Sequence, residues 1–411
     1  MAGKQLLTAL YDAGEYTELS RLSADADGAA EVVTAVGLVN GTQVYAFAQE
    51  QTVRCGAFGR KQAEKIGRLY QLAAQTGSPL VGCFDSDGMK LQEGLDAMDA
   101  LAEVLCAANR LSGVVPQIAV IAGPCIGSAA MMAANMDLTV AVKGAAWYLK
   151  KDEQPTKPAC TAATAEQAMA LVRRALDLLP ANNLTAPAVY EAGAADTVPT
   201  GAANAAAAVT DADTLLPLYE GQAALGRIGG RPAGFVTLQG DAIGCCESRR
   251  LARFVRLCDA FSLPVITFVD AAGFDGMRAA AVLSDAYAEA TCPKITVVTG
   301  RAYGSVYIAA AGRQAGADVV LAWPQATICA LPPEAAVHVV WSERAAGLSP
   351  QEQKKLAEEY AAVEGSAKKA AAGGHVSDVI EPADTGRQLR TCIAMLAGKR
   401  VSLLPKKHTT R

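Results

Sequence analysis

The two halves of this chain carry the same series of landmarks in the same order, and a duplication of that kind leaves few folds open. The first half opens with a hairpin-like Gly37-Leu38-Val39-Asn40-Gly41, the second with Gly226-Arg227-Ile228-Gly229-Gly230. A short apolar strand follows each, over residues 44–48 and 233–238. A helix comes next. Ala63, Ile66, Leu69, Tyr70 and Ala73 fall on one helical face, as do Leu251, Phe254, Val255 and Cys258. Pro79 and Pro264 then introduce buried strands that end at Asp85 and Asp270. Pro116 and Pro293 introduce further strands, each running into a Gly-rich turn (residues 123–128 and 300–305) and an Ala-rich helix. Both helices lead to another strand containing an acidic residue, Asp137 or Asp318.

Strand–turn–helix units in this order predict an α/β fold of right-handed βα crossovers, repeated once. The expected domains are residues 1–190 and 212–411. Residues 191–211, rich in Ala and Gly without a clear period, read as a linker, with a poorly amphipathic helix as the alternative. A length of 411 residues suffices for two cores, and 51% apolar residues with only 5% aromatics suit helices lying close on a sheet.

The net charge of -4 excludes broad attraction for nucleic acid or anionic lipid, so an anionic ligand needs a local positive pocket. No run approaches ~18 uninterrupted apolar residues and residues 1–7 lack a signal-peptide core, so the expectation is a soluble, cytoplasmic protein. Eleven cysteines without a Cys-x-x-Cys pair read as free, mostly buried thiols, with no metal site expected. The three histidines, His338, His375 and His408, all lie in the last fifth of the chain, which restricts imidazole chemistry.

The turns carry the functional signal. Residues 85–89 and 270–274 form one matched pair, and the turns near Gly127 and Gly304 form another. A turn leading from a strand's C-terminal end into a helix presents free backbone N–H groups and a favourable dipole. Such groups can hold a developing enolate oxygen in an oxyanion hole, at ~3–4 kcal/mol per donor. Glycine lets the backbone approach a ligand without an intervening side chain. One isolated turn of this kind is a plain strand–helix connection; two matched pairs in duplicated halves favour a site.

Residues 82–94 (Gly-Cys-Phe-Asp-Ser-Asp-Gly-Met-Lys-Leu-Gln-Glu-Gly) resemble the Asp-Ser-Gly-Gly-Ala-Arg-x-Gln-Glu-Gly signature of acyl-CoA carboxyltransferases. That family includes propionyl-CoA carboxylase β subunits and sodium-pumping decarboxylase subunits. Residues 115–129, with Pro116-Gln117-Ile118 and Gly123-Pro124-Cys125, look like its next segment, and residues 249–273 resemble its Arg-x-x-x-Arg-Phe-x-x-x-Cys-Asp-Ala-Phe stretch. Residues 302–307 are similar to its Ala-Tyr-Gly-Gly-Ala-Tyr, Ala322-Trp323-Pro324 to its following strand, and residues 378–382 and 405–408 to its C-terminal segments.

The resemblance implies tandem crotonase-like (ClpP/crotonase superfamily) domains of ββα superhelical repeats, in a homo-oligomer (dimer or hexamer) with sites where domains of different subunits meet. It implies that the N–H groups of Gly88 and Met89 form one oxyanion hole and those of Ser305 and Val306 the other. Gly127, Gly304, Tyr303, Ile308, Gly273 and Phe274 are the implied substrate-binding residues, Ile308 standing where the family varies with acyl chain. One hole takes the acyl thioester and the other the ureido oxygen of carrier-bound biotin. Carboxybiotin releases CO2, the ureido anion removes the α-proton, and the enolate captures CO2; decarboxylation reverses the cycle. The implied partners are acyl-CoA, a biotin carboxyl carrier protein, and a biotin carboxylase or membrane decarboxylase subunit that would hold the protein against the membrane.

The chain departs from the family at Asp87-Gly88 and Gly304-Ser305, where the signature has paired glycines, and at Met89 and Val306, where it has Ala. Those departures motivate an alternative, a non-catalytic scaffold subunit of a biotin-dependent complex. An enoyl-CoA hydratase needs acidic residues on the helices after the turns, and residues 129–133 and 307–310 contain none. A serine hydrolase built on Ser305 would need His338 as base.

Overall fold

The computed structural model describes residues 2–23, 31–153, 156–193 and 197–402, so His408 and the match at 405–408 lie outside the described residues. The chain divides into two units, Met1–Pro187 and Ala188–Arg411.

Unit 1 begins with α1 (Gly3–Leu10), whose Leu6, Leu7 and Leu10 are fully buried. Strands β1 (Tyr16–Leu19), β2 (Val32–Val39) and β3 (Thr42–Gln49) follow as an antiparallel meander. From β3 onward the sheet is parallel. Helix α2 (Arg60–Thr76) leads to β4 (Leu80–Ser86), and α3 (Leu95–Leu111) to β5 (Gln117–Ile126). Helix α4 (Ser128–Asn135) leads to β6 (Leu138–Val142). The short β7 (Trp147–Tyr148) pairs with the far end of β5, while β8 (Cys160–Ala162) joins β6 and precedes α5 (Ala165–Leu178). Parallel neighbours need a crossover long enough to return the chain, which is why each apolar-faced helix sits between them. Ile66, Leu69 and Tyr70 of α2 and Leu101 and Val104 of α3 bury one face against Phe47 and Phe84, whose rings meet edge to face at 5.3 Å.

Unit 2 repeats the plan. Helix α6 (Ala202–Val209) precedes the antiparallel meander β9 (Leu216–Leu218), β10 (Ala223–Ile228) and β11 (Arg231–Gly240). Helix α7 (Cys245–Ala260) leads to β12 (Val265–Ala271) and α8 (Met277–Glu289) to β13 (Lys294–Tyr303). A π-helical turn (Tyr307–Ala311) then leads to β14 (Val319–Ala322), and β15 (Thr327–Cys329) pairs with the far end of β13, as β7 does with β5. Helices α9 (Pro333–Val340), α10 (Ser342–Ala345) and α11 (Pro350–Val363) form a separate small core on Val337, Ala345, Leu356 and Ala357, and α12 (Ala367–Ala372) follows. Strand β16 (Asp378–Val379) closes the edge before α13 (Thr385–Leu396). Among the described residues each unit has an eight-stranded mixed sheet, and the two sheets share one strand order.

Three details differ from the sequence expectation. Within residues 191–211 the alternative to a linker, a weakly amphipathic helix, is what forms over α6, with Ala202, Ala205, Ala206 and Val209 in the unit 2 core. The Gly-rich stretches at 123 and 300 are not turns. Strands β5 and β13 continue to Ile126 and Tyr303, and only Gly127 (φ 63°) and Gly304 (φ 42°) take the left-handed conformation that turns the chain. The eleven thiols are all free, but only Cys83, Cys125, Cys258, Cys292 and Cys392 are buried.

The duplication extends to polar contacts. In unit 1 the Asp12 carboxylate accepts the Asn40 and Gly41 N–H groups at 3.0 and 2.9 Å, pinning the β2–β3 turn. In unit 2 Asp211 accepts those of Gly229 and Gly230 at 2.9 and 2.6 Å. Asp137 and Asp318, each one residue ahead of its strand, accept the N–H groups of Gln117 and Lys294, both at 2.8 Å. No helix among the described residues is long and apolar enough to cross a membrane.

Candidate active site

Strand β4 ends at Ser86 and the chain turns through Asp87 and Gly88, at φ 118°. Ser86 Oγ holds both sides of that turn, 3.2 Å from the Gly88 nitrogen, whose N–H it accepts, and 3.2 Å from the Gly88 oxygen. The Gly88 N–H is therefore engaged by its own turn. Met89 forms a parallel bridge with Phe58: Phe58 N–H donates to Gly88 O at 2.7 Å and Lys90 N–H to Phe58 O at 2.9 Å. That pattern turns the Met89 N–H outward, and no hydrogen bond ties it among the described residues.

Strand β5 ends beside this turn. A Cβ on Gly88 would stand 3.7 Å from the Ile126 carbonyl oxygen, whereas one on Gly127 would meet nothing within 4 Å. Gly127 N–H donates to Tyr148 O at 3.0 Å, so the next amide, that of Ser128, is the first of the orphan donors of α4. Ser128 Oγ is also buried without a partner. Half-buried Met89 lines a cleft of about 560 Å³ with Arg54, Ala57, Lys90, Leu91, Gln92 and Glu93.

Unit 2 reproduces the arrangement. Ile243 bridges Phe274, with Ile243 N–H donating to Gly273 O at 3.0 Å and Asp275 N–H to Ile243 O at 2.9 Å. Gly304 N–H donates to Cys329 O at 2.9 Å, as Gly127 does to Tyr148, and Gly304 O accepts from Ile308 N–H at 3.1 Å. The amides of Phe274, Ser305 and Val306 are then untied among the described residues. The bulk added at Val306 goes into the core, where its side chain is fully buried. Tyr303 is buried beneath the turn, its hydroxyl pushed up to about 12 chiefly by burial. Ile308 stands 69% exposed on the π turn, and Tyr307 donates its hydroxyl to His375 O at 3.2 Å.

The acidic residues near the turns have structural partners or none. Glu93 accepts the Arg60 N–H at 2.6 Å and so caps α2, not its own segment. Asp270 binds Arg301. Asp85 Oδ1 is buried without a hydrogen-bond partner, and burial foremost pushes its carboxyl up to about 6. On α7, Arg256 pairs with Asp285 at 2.8 Å and Arg250 donates to Gln222, while Arg249 and Arg253 are exposed. His338 is exposed on the last turn of α9, and no hydrogen bond joins it to Ser305 among the described residues. Sequence reasoning did not single out Ser128 or Ser86; the signal available was that Ser128 occupies in the first half the place that Ser305 takes in the second.

Matched turns with outward backbone amides, in two crotonase-like units on one chain, define a carboxyltransferase architecture. The chain belongs to the carboxyl transferase domain family, which it matches over residues 5–149 and 158–410. It is similar to the methylmalonyl-CoA decarboxylase subunit alpha of Propionigenium modestum, at 31% identity over 99% of this chain and 92% of that one. It is 33% identical to the methylmalonyl-CoA carboxyltransferase 12S subunit of Propionibacterium freudenreichii subsp. shermanii, over 93% of this chain and 83% of that one. Among solved structures, the transcarboxylase 12S hexamer with methylmalonyl-coenzyme A and methylmalonic acid bound matches with a TM-score of 0.91 and 29% identity, covering 100% of this chain and 92% of that one.

Proposed function

We propose that this protein moves a carboxyl group between carrier-bound biotin and a short-chain acyl-CoA, stabilising the enolate with backbone amides of paired oxyanion holes. The observation that carries the reading is the duplicated pattern of tied and untied amides. In each unit the turn after one strand and the start of the next helix offer outward N–H groups: Met89 and Ser128 in unit 1, Phe274 and Ser305 in unit 2, with Val306 one position further on. These pairs modify the assignment that the resemblance implies. Gly88, Gly127, Gly273 and Gly304 act by leaving backbone uncovered. Biotin, when bound, supplies the carboxyl carrier and the ureido anion. The chain's own residues orient the thioester and neutralise charge on its oxygen. No titrating side chain is needed for that, which fits the absence of histidine from the turns.

The methylmalonyl-CoA relatives favour a branched or short acyl group, with a homo-oligomer as the assembly and a biotin carboxyl carrier protein as partner. The reading is tested by incubating purified protein and free biotin with malonyl-, methylmalonyl- and glutaconyl-CoA. Biotin-dependent loss of the CoA ester is expected with at least one of them. No turnover across the panel favours the scaffold subunit that the altered glycines motivate. The assigned donor is tested by replacing Met89 with its α-hydroxy acid, which exchanges N–H for oxygen. A loss of about 10²–10³ in kcat is expected, the usual effect of deleting one oxyanion donor.

A further inference from the structure

Asp85 and Asp270 end corresponding strands, and each stands over a glycine of the next strand. A Cβ on Gly123 would come within 2.1 Å of Asp85 Oδ1, and one on Gly300 within 2.5 Å of Asp270 Oδ1. Both sheets shift register at this point, between Phe84 and Ser86 and between Val269 and Ala271. The likeness stops at the partners. Asp270 Oδ1 accepts from the Arg301 main-chain N–H and from its Nε, both at 3.0 Å, while Arg301 Nη1 reaches Asp241 at 2.6 Å. The residue after Gly123 is Pro124, which brings neither an amide hydrogen nor a cation.

Asp85 Oδ1 is left buried and without a hydrogen-bond partner among the described residues. Burial foremost raises its carboxyl; the positive charge of the amino terminus opposes that rise, and the carboxylates of Asp87, on the same turn, and Glu50, just beyond β3, add to it. The Cys125 thiol on β5 lies close enough that burial first, and the Asp85 charge second, push it up. Asp85 is four residues from Met89, no more than about 14 Å along an extended chain, and the intervening turn is held by Ser86 Oγ.

We infer that Asp85 sets the charge of the unit 1 anion site: as a neutral acid it leaves the Met89 and Ser128 amides free to hold a developing negative charge, and as a carboxylate it opposes that charge. Its counterpart opposes that charge less, because Asp270 is ion-paired with Arg301, which it shares with Asp241. This inference rests on the carboxyltransferase reading and deepens it. Asp85 transfers no proton; it acts as a positioning residue through the field at the neighbouring amides. A full charge within the chain limit of about 14 Å, screened as near a protein surface, alters a rate roughly tenfold.

The test uses the full chain, the best acyl-CoA of the panel and free biotin, with kcat followed from pH 5 to 8.5. The parent is expected to lose roughly tenfold in kcat as pH rises through about 6. Asp85→Asn is expected to lack that inflection and to exceed the parent at pH 8. An inflection near 6 that persists in the Asn variant overturns the inference, as does a variant slower than the parent at every pH. Thermal unfolding supplies a second arm that needs no turnover. An acid whose folded pKa is raised binds its proton more tightly when folded, so the parent loses stability as pH rises from about 4 to about 6. Asp85→Asn should therefore gain Tm over the parent at pH 8 and not at pH 4. An equal difference at both refutes the charge assignment. A parent inactive on every CoA ester sinks the carboxyltransferase reading instead, and the thermal arm still reads the Asp85 charge.

Discussion

Lys90 Nζ lies 2.6 Å from Glu31 Oε1, with the two side chains only 9% and 2% exposed. Arg54 reaches the same oxygen at 2.8 Å, and Glu93 Oε1 stands 3.5 Å from Lys90 Nζ. This network joins the start of β2, the loop before α2 and the turn that carries Met89. A buried ion pair contributes little net stability, but removing one partner strands the other.

Replacing Lys90 by Met should therefore lower stability toward the lower end of about 3–5 kcal/mol, since Arg54 still faces Glu31. Because Met89 is the next residue, kcat should fall by a larger factor than KM changes. Lys90→Arg should restore most of both. Urea unfolding and steady-state kinetics read the two effects, and an unchanged kcat in Lys90→Met would separate the network from the hole.

The matched hairpin clamps should differ in strength. Asp211 is 4% exposed and holds two amides, so Asp211→Ala should cost about 1–3 kcal/mol for each group left unpaired, read by urea unfolding at pH 7. Asp12 is more exposed, and its carboxyl is held below the usual range, first by the Gly41 N–H and then by Arg173. An acid with a depressed folded pKa stabilises the fold above its unfolded value near 4 and loses that contribution as pH falls. Asp12→Asn should thus be less stable than the parent at pH 7, with the gap closing toward pH 2. A gap that widens in acid would contradict the assignment.

Gly123→Ala and Gly300→Ala should both destabilise, by about 1–3 kcal/mol, because the new methyl group meets a carboxylate at 2.1 or 2.5 Å. The Gly123 change should also depress kcat by moving Asp85 and the turn beyond it. Thermal denaturation comparable to the parent in either variant would show that the strand ends yield more than packed sheets do.

Ile308, 69% exposed, contributes little to the fold, and its replacement by Ala should leave stability within about 0.5 kcal/mol. If its side chain borders the acyl group, the ratio of kcat/KM for malonyl- and methylmalonyl-CoA should move by roughly tenfold per methylene affected. A constant ratio with full activity would remove Ile308 from the selectivity pocket.

Much of this molecule was legible in one dimension because its signals are local. Apolar spacing at Ile66, Leu69 and Tyr70 dictates a helix face, a Pro before an apolar run marks the starts of β4, β5, β12 and β13, and the recurrence of both marks two like units. The motif around residues 82–94 carried the family, since its residue types follow from backbone demands at the turn. Helix α6 stood only as the alternative to a linker because its Ala-rich face has little contrast with its other side, and contact with the unit 2 core decides between the two.

What the sequence determined by itself is therefore the twofold α/β plan, the family and the pairs of turns. Tertiary structure decided which amides point outward, because an N–H is free or tied according to strands distant in the chain: Phe58 beside Met89, Tyr148 beside Gly127. It also decided that Gly123 and Gly300 serve as seats for Asp85 and Asp270, and that among the described residues Asp270 is paired with Arg301 while Asp85 Oδ1 has no hydrogen-bond partner. Residue identity fixes what a group can do, while its charge state and free hydrogens depend on neighbours that folding alone brings within a few ångströms.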